Sequence, residues 1–284
     1  MLGSYVSAQA AAAGFEVFAT YSAHEVEIPG CRMVKLDIGD REETARVVGE
    51  IGPGAIIHTA ALVKPDVCEQ QKDVAYRCNV AGTSNIIAAA ESVGAHLVHV
   101  STDLVFSGEH SPSMPDDTLS PVNYYGLTKA CAEAAVYASK IDWAVVRTSI
   151  IYGQRMFPNL VSFSDSVIDS LRSGQEVRAF VDQYRSPIPA WNLADVLIEI
   201  AQRQLTGIYH AVCPETSTRY QFARKVAQIF GLDETLIKPI SMDEVPSPAR
   251  RPKMLVIDTK ETQGKLNVRL LGFEEGIGEL RDRV

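Results

Sequence analysis

The stretch His96–Thr102 reads HLVHVST and is a short, continuous block rich in apolar and β-branched residues. A strand with one solvated face alternates polar and apolar side chains, whereas a continuous block is typical of a parallel strand buried on both faces. The other blocks of this kind are Glu16–Thr20, Met33–Asp37, Ala55–Ala60 and Ala144–Tyr152. The sequence therefore predicts a set of buried parallel strands.

Segments with helical patterning lie between these blocks. They are Ser4–Ala13, Arg41–Ile51, Val74–Val93 and Tyr124–Lys140. Regular alternation of strand and helix is typical of an α/β fold with a doubly wound parallel Rossmann sheet. We therefore predict that residues 1–153 form a dinucleotide-binding Rossmann domain.

The alternation becomes irregular after Tyr152, where we expect a smaller, mixed α/β region. The elements predicted there are the helices Leu160–Ser173, Leu193–Gln204 and Tyr220–Phe230 and the strands Val177–Val181 and Gly207–Val212. We assign residues 154–189 and 213–284 to a substrate-binding region. Residues 190–212 are expected to return to the Rossmann domain.

Composition excludes several classes of function. The chain has 284 residues, 46% of them hydrophobic, and a formal net charge of −8, which argues against nucleic acid or an anionic membrane as a partner. No apolar run approaches the ~18–20 residues that span a bilayer. The five cysteines form no CxxC pair and predict neither a disulfide framework nor a metal site. A reducing, cytoplasmic location is the simplest expectation, and a homodimer is an assembly that the sequence leaves open.

The N-terminus lacks part of a pattern that such sheets carry. A dinucleotide-binding sheet has a glycine-rich turn after its first strand, but this chain enters a helix at once. Gly3 stands where the last glycine of that turn would lie. The first strand and the first two glycines are absent from the chain as given, so we expect either that the start is placed too late or that the protein lacks them. In both cases a groove would lie open in the sheet.

The motif with the clearest chemistry is the pair Tyr125 and Lys129, in the sequence YGLTK. Residues four apart share one face of a helix. A nearby ammonium stabilises a phenolate and would lower the tyrosine pKa towards neutrality, as acid–base catalysis requires. The spacing alone is weak evidence, but this pair opens a helix that follows a parallel strand.

Thr102 and Asp103 end that strand, where open α/β sheets bind ligands. Alternatively, they only cap a turn.

Two further strand ends suit a cofactor groove. Counting the absent first strand, Asp37 and Ile38 come at the end of the third strand, Met33–Asp37, and are candidates for contact with an adenine, although an aspartate there can instead cap a helix, a role for which Asp40 is better placed. Ala60 and Ala61 follow the fourth, where small side chains let a dinucleotide approach the backbone. They can equally be core residues.

With these residues in view, the chain resembles the extended short-chain dehydrogenase/reductases, and within them the dTDP-4-dehydrorhamnose reductase (RmlD-like) family. The similarity runs over nearly the whole length. The segments that carry it are HTAALVKPDVCE (58–69), NVAGTSNI (79–86), STDLVFSG (101–108), PVNYYGLTKACAE (121–133), RTSIIYG (147–153), DQYRSPIPA (182–190) and GIYH (207–210).

The resemblance implies a reaction and a role for each matching residue. Hydride would pass from a reduced nicotinamide to the C4 ketone of a nucleotide-linked deoxysugar, the expected substrate. Tyr125 would be the general acid, Lys129 its modulator and ribose anchor, and Thr102 the hydroxyl partner, with Asp103 in support. The residues implied along the cofactor are Gly3, Asp37, Ile38, Ala60, Ala61 and Asn79, together with Tyr125 and Lys129. The residues implied on the sugar-nucleotide side are Asp182, Gln183 and Pro187.

Several alternatives stay open. No acidic residue follows the strand that ends at Thr20, so NADP(H) is favoured over NAD(H). Ile150 stands where family members acting on the dTDP sugar commonly carry Trp, and Leu104 stands where related dehydratases carry Glu, which disfavours dehydration. A nucleotide-sugar epimerase would use the same site. A non-catalytic binding subunit is the third hypothesis, because the β subunit of methionine adenosyltransferase has a similar sequence pattern. The pair Arg250–Arg251 either binds a diphosphate or lies solvated in a loop.

Overall fold

The computed structural model describes residues 1–157 and 161–284. Pro158 and Leu160, which the sequence places in a loop and at the start of a helix, lie outside the described residues. The strands are β1 (Val17–Tyr21), β2 (Cys31–Lys35), β3 (Ala55–His58), β4 (His96–Thr102), β5 (Trp143–Thr148), β6 (Ile151–Tyr152), β7 (Val177–Phe180), β8 (Tyr184–Arg185), β9 (Ile188–Pro189), β10 (Gly207–His210), β11 (Ser217–Thr218) and β12 (Ile237–Ile240).

The helices connect these strands in the order expected of an α/β fold. They are α1 (Leu2–Ala12), α2 (Arg41–Ile51), α3 (Pro65–Gln70), α4 (Lys72–Tyr76), α5 (Gly82–Val93), α6 (Tyr124–Tyr137), α7 (Phe163–Arg172), α8 (Ala190–Gln202), α9 (Arg219–Phe230), α10 (Lys260–Lys265) and α11 (Phe273–Arg283). A π-helical turn, Arg77–Ala81, joins α4 to α5. None of the helices in the described part of the chain is long and apolar enough to cross a bilayer.

The central sheet has four parallel strands in the order β10-β5-β4-β3. Strand β4 pairs with β3 on one side and with β5 on the other. Nearly every residue of β4 and β5 is buried, which confirms the interpretation of the continuous apolar blocks. This is the Rossmann-like parallel sheet that the sequence predicts.

Strands β1 and β2 form a separate parallel pair. Within the described residues, β1 has no ladder to β3, and a central strand of a doubly wound sheet would lie between these two. All three strands are only partly buried, unlike β4 and β5. Helix α1 packs against β1 and, more extensively, against α8, so it bridges the two sheets.

Two predicted elements are interrupted in the structure. The predicted strand Ala144–Tyr152 is wrong as one element: β5 ends at Thr148, and β6 pairs with β9 of the smaller region. The chain leaves the sheet at Ser149, directly after β5. The Ser149 hydroxyl donates a hydrogen bond to Asp103. The predicted helix Val74–Val93 is likewise divided by the π-helical turn. By contrast, Asp40 caps α2 as predicted, accepting from the Glu43 amide at 2.9 Å.

The smaller region packs on one face of the sheet. Its strands β7 and β12 are parallel to each other, and α9 contacts both. The main hydrophobic core joins this region to β4, β5 and α8, with Tyr152 and Phe222 in edge-to-face contact at 5.1 Å between ring centroids. This shared core fixes the smaller region beside the carboxyl ends of the central strands.

Candidate active site

The end of β4 leads directly into a tight turn that holds Thr102 and Asp103. Thr102 Oγ1 accepts from the Leu104 amide at 3.2 Å and therefore caps the single 3₁₀ turn Asp103–Val105. The same hydroxyl donates to Asp103 Oδ1 at 3.2 Å. The capping interpretation is thus confirmed, and it is compatible with a site here, because the Thr102 hydroxyl also acts to lower the pKa of the Tyr125 phenol.

Tyr125 is presented by the first turn of α6. Asn123 caps this helix through the Gly126 amide at 2.8 Å, and Glu69 accepts from the Tyr124 amide at 2.7 Å. Two side chains therefore satisfy amides of the first turn that would otherwise lack partners. Gly126 has to be glycine here, because a Cβ would lie 2.1 Å from the Leu104 carbonyl oxygen. The turn after β4 and the start of α6 thus touch, which brings Thr102 and Tyr125 together.

The Tyr125 phenol is neutral in this structure. Burial is the largest cause that raises its pKa above the ordinary value, the Asp103 carboxylate adds to the rise, and the Thr102 hydroxyl opposes it. The sequence predicts a lowered pKa, and that prediction is wrong for the structure described, because burial and the Asp103 carboxylate raise the pKa of Tyr125. A neutral phenol is the form that donates a proton.

Lys129 lies one turn after Tyr125, with only 2% of its surface exposed. Its Nζ is 3.0 Å from Nε2 of His99 on β4. Burial lowers the pKa of Lys129 to about 8. The neighbouring Thr128 accepts from Asn79 Nδ2 at 3.0 Å, and Asn79 also bonds both backbone groups of Leu62. Asn79 therefore fixes the loop after β3 against α6.

Three of the residues predicted beside a cofactor, Gly3, Ala60 and Ala61, lie at the end of β3. A Cβ on Gly3 would be 2.9 Å from Thr59 Oγ1, so α1 approaches the end of β3 closely. The side chain of Ala60 is exposed there, and that of Ala61 is half-buried. The first turn of α1 has no side-chain cap. Small residues, a close helix start and an exposed strand end fit a groove for a dinucleotide.

Asp37 and Ile38 differ in their exposure to solvent. Asp37 is exposed, accepts from the Gly39 amide at 2.9 Å and pairs with Arg77. Ile38 is buried in the second core, where its side chain covers Gly82. Ile38 therefore faces the packed side of this turn, and Asp37 faces the solvent side.

A cavity of about 670 Å³ opens in the smaller region. This volume is within the range of pockets that hold small ligands. Two acidic side chains, Asp66 and Asp243, line it. The basic side chains that line it are Arg178, Arg219, Arg250, Arg251 and Lys253.

The acidic side chains neutralise only part of this charge. Asp66 pairs with Arg251 at 2.7 Å, and Asp243 pairs with Lys253 at 2.6 Å. Hydrogen bonding from Arg251 lowers the pKa of Asp66 to about 2, so this pair stays ionised at neutral pH. Across residues 1–157 and 161–284, the other three cations lining the cavity have no carboxylate within 4.0 Å. The cavity therefore offers a net positive lining to an anionic ligand.

Arg219 is the most enclosed of these free cations. Its Nε donates to Gln183 Oε1 at 3.1 Å, and its guanidinium lies 4.4 Å over the Phe163 ring. The buried Nη1 atom has no hydrogen-bond partner among the described residues. Burial and the nearby Arg185 lower the pKa of Arg219 to about 10, which leaves it charged at neutral pH. A buried donor without a partner is costly, and an anion would satisfy it.

The three residues predicted on the substrate side lie in different places. Gln183 lines the cavity and orients Arg219. Asp182 instead accepts from Ser241 Oγ at 2.7 Å and from the Met242 amide at 2.8 Å, and so holds the cavity rim. Pro187 lines a small adjoining recess.

Two contacts connect the cavity with the site at the end of β4. The Asn123 amide donates to the Arg250 carbonyl at 2.9 Å, so the residue that caps the helix of Tyr125 also holds the cavity wall. Arg185 Nε lies 4.0 Å from Asp103 Oδ2, and both side chains are buried. The start of α6 therefore contacts the cavity wall, and the turn after β4 contacts the adjoining recess that Arg185 lines.

The sequence did not point to Arg219, Arg185 or His99 as site residues. Arg219 is the first residue of a helix, where an arginine carries no distinctive signal, and His99 lies in an apolar strand. Arg250 and Arg251 both line the cavity, but only Arg251 is paired with a carboxylate, that of Asp66, among the described residues. Among the described residues, no group of three His, Cys, Asp or Glu side chains is arranged to hold a metal ion.

Comparisons with known proteins find similarity to reductases and to a subunit of methionine adenosyltransferase. It is 29% identical over 282 residues to the probable low-salt glycan biosynthesis reductase of Haloferax volcanii, covering 99% of this chain and 94% of that protein. It is 30% identical to the methionine adenosyltransferase 2 subunit beta of Rattus norvegicus, covering 81% and 70%.

A solved structure and a family model agree with this fold. The dTDP-4-dehydrorhamnose reductase of Bacillus anthracis, crystallised in complex with NADP, superposes with a TM-score of 0.85 at 26% identity, covering 95% of this chain and 100% of that one. The model of the RmlD substrate binding domain matches residues 1–284. The chain therefore belongs to the RmlD substrate binding domain family.

Proposed function

We propose that this protein is an NAD(P)H-dependent oxidoreductase that reduces the 4-keto group of a nucleotide-linked deoxysugar. The proposal is carried by three buried residues at the end of β4 and the start of α6, Thr102, Tyr125 and Lys129, together with a nearby cavity whose lining is cationic. The similarity to reductases of glycan and dTDP-sugar synthesis supports the same reaction class. NADPH is the proposed reductant in preference to NADH.

The residues divide the work of the reaction by their chemistry. Gly3, Thr59 and Ala60 would hold a dinucleotide cofactor, whose reduced nicotinamide would supply the hydride. Tyr125, neutral because it is buried, donates its proton to the oxygen of the reduced ketone. The Thr102 hydroxyl then orients that oxygen and stabilises the phenolate that remains. Lys129 adds positive charge one turn away and anchors the ribose.

The cationic cavity would hold the diphosphate of the substrate. Arg219 and Arg250 have no carboxylate partner among the described residues, and planar guanidinium groups bind phosphate oxygens with two parallel hydrogen bonds. Binding there would place the sugar towards Asp103 and Tyr125, since Arg185 lines the recess next to the cavity and contacts Asp103. The cavity thus supplies affinity, and the end of β4 supplies chemistry.

The proposal is tested by following the oxidation of NADPH and NADH with dTDP-4-dehydrorhamnose. We expect turnover with wild type and a loss of about 10²- to 10⁴-fold in kcat for Tyr125→Phe, because one positioned proton donor contributes that much. Tyr124→Phe is the matched control, since the adjacent ring is not buried in the site, and it should keep wild-type turnover. Equal rates for wild type and Tyr125→Phe would contradict the assigned role.

A second function has one specific observation in its favour, the 30% identity to a methionine adenosyltransferase β subunit. A binding subunit would bind the nicotinamide cofactor without oxidising it. If wild type binds NADPH in calorimetry but reduces none of the 4-keto sugar nucleotides, and forms a stable complex with a methionine adenosyltransferase catalytic subunit, the reductase proposal fails.

A further inference from the structure

A cluster of buried basic side chains lies between α6 and the central sheet. Lys129 of α6 contacts His99 of β4, with 3.0 Å between Nζ and Nε2. His58 of β3 stacks on His99 with 5.3 Å between ring centroids, and its Nε2 is 3.1 Å from Thr83 Oγ1. All three basic side chains are less than 5% exposed. No sequence motif joins Lys129 to His99, which is 30 residues away.

The protonation of this cluster follows from its geometry. An ammonium group can only donate hydrogen bonds, so His99 has to present an unprotonated Nε2 and carry its proton on Nδ1. A protonated His99 would place two positive charges 3.0 Å apart without solvent. Burial and the Lys129 charge accordingly hold the pKa of His99 far below its usual value and lower that of His58 to about 3. The cluster therefore carries one positive charge at neutral pH, on Lys129.

Two other titratable groups face Lys129, and neither accepts a hydrogen bond from its ammonium among the described residues. Glu133 follows one turn later on α6, but its carboxylate is bonded to Arg147 and to the Ser101 hydroxyl. Cys78, in the π-helical turn, is a thiol whose own pKa is raised by burial. Glu133 and Cys78 both favour the charged ammonium through space. His99 alone among the described residues accepts a hydrogen bond from Nζ.

We propose that His99 is the positioning residue for Lys129: its neutral Nε2 accepts a hydrogen bond from the ammonium and fixes Nζ on the sheet side of α6, with two N–H donors left for ligands. The proposal rests on the proposed function, in which Lys129 works as a cation. A buried ammonium without this acceptor loses a charge-assisted hydrogen bond that favours its protonated form. Loss of His99 should therefore lower the pKa of Lys129, so that the lysine loses its charge at a lower pH than in wild type.

The test is the pH dependence of kcat/KM with NADPH and the 4-keto sugar nucleotide for wild type, His99→Leu and His99→Gln. Activity needs the protonated lysine, so the wild-type rate should fall as pH rises through about 8. His99→Leu has no acceptor, and its alkaline limb should move down by about one to two pH units. His99→Gln offers a carbonyl oxygen as acceptor, so its alkaline limb should lie close to the wild-type pH. If His99→Leu does not fold, His99→Phe removes the acceptor with a planar ring.

His96→Leu is the matched control, because His96 lies on the same strand and is equally buried but bonds the Leu205 carbonyl at 3.0 Å. Its alkaline limb should stay at the wild-type pH. An unshifted limb in both His99→Leu and His99→Phe, or an equal shift in His96→Leu, would overturn the proposal.

A second measurement does not depend on catalysis. In protein with ¹³Cε-labelled lysine, the Lys129 resonance, assigned by its loss in Lys129→Met, should titrate near pH 8 in wild type and lower in His99→Leu. If wild type shows no reductase activity but this shift is present, the proposed function fails while the positioning of Lys129 stands. If the resonance titrates at the same pH in both proteins, the positioning role fails whatever the activity.

Discussion

The guanidinium groups of Arg147 and Arg219 are both shielded from solvent. That of Arg147 lies within the core, and that of Arg219 lies at the cavity wall. Each of the three Arg147 nitrogens donates a hydrogen bond: Nη2 to Glu133 at 2.8 Å, Nη1 to the Pro115 carbonyl at 2.9 Å, and Nε to Glu133 at 3.1 Å. Arg219 has one such bond, to Gln183, and a buried Nη1 without a partner among the described residues.

The difference separates a cation that serves the fold from one that is available to a ligand. The Arg147–Glu133 pair is 2% and 0% exposed, and its members satisfy each other at the edge of β5. Breaking such a pair leaves an uncompensated buried charge. Arg219, in contrast, carries an unsatisfied donor, so an anion that reaches the cavity gains a bond that the folded chain does not make for itself.

The largest effect should come from Arg147→Met, which leaves the Glu133 carboxylate buried without its cation. We expect the free energy of unfolding to fall by about 3–5 kcal/mol, measured by urea denaturation. The double variant Arg147→Met with Glu133→Leu should regain most of that loss, since neither charge remains. A fall below about 1 kcal/mol in the single variant would remove the distinction between the two arginines.

Arg219→Gln should change substrate binding rather than stability, unlike Arg147→Met. Its free energy of unfolding should stay within about 1 kcal/mol of wild type, because no satisfied ion pair is lost. The KM for the sugar nucleotide should rise about ten- to hundredfold, the value of a hydrogen bond to a charged group. Arg172→Gln, which removes an exposed charge outside the cavity lining, should leave KM unchanged. Loss of stability without a change in KM would make Arg219 a structural residue like Arg147.

Arg178→Gln should have the smallest effect. This arginine also lines the cavity without a carboxylate partner among the described residues, but its side chain is exposed and surrounded by water. We expect KM to rise less than about fivefold, because exposed charges contribute at most about 1 kcal/mol. The difference from wild type should disappear at about 1 M salt, where charges are screened within a few ångströms. A larger effect than that of Arg219→Gln would show that burial does not decide which arginine binds the anion.

The sequence by itself determined the elements whose signals are local. The buried strand His96–Thr102 and the helix Arg41–Ile51 have the predicted bounds, because a continuous apolar block and an Asp cap act within a few residues. The Rossmann-like arrangement followed from the alternation of such elements. The meeting of Thr102 with Tyr125 was also predictable, since the carboxyl ends of parallel strands and the helices that follow them share one edge of a sheet.

Only the tertiary structure decided the electrostatics of the site. Tyr125 has a raised pKa because it is enclosed near Asp103, and Lys129 contacts His99 across 30 residues, which no local pattern records. Arg147 and Arg219 are likewise indistinguishable in the sequence. Burial and hydrogen-bond partners come from chain segments that are distant in sequence, and they settle which cation is neutralised and which one stays available to a ligand.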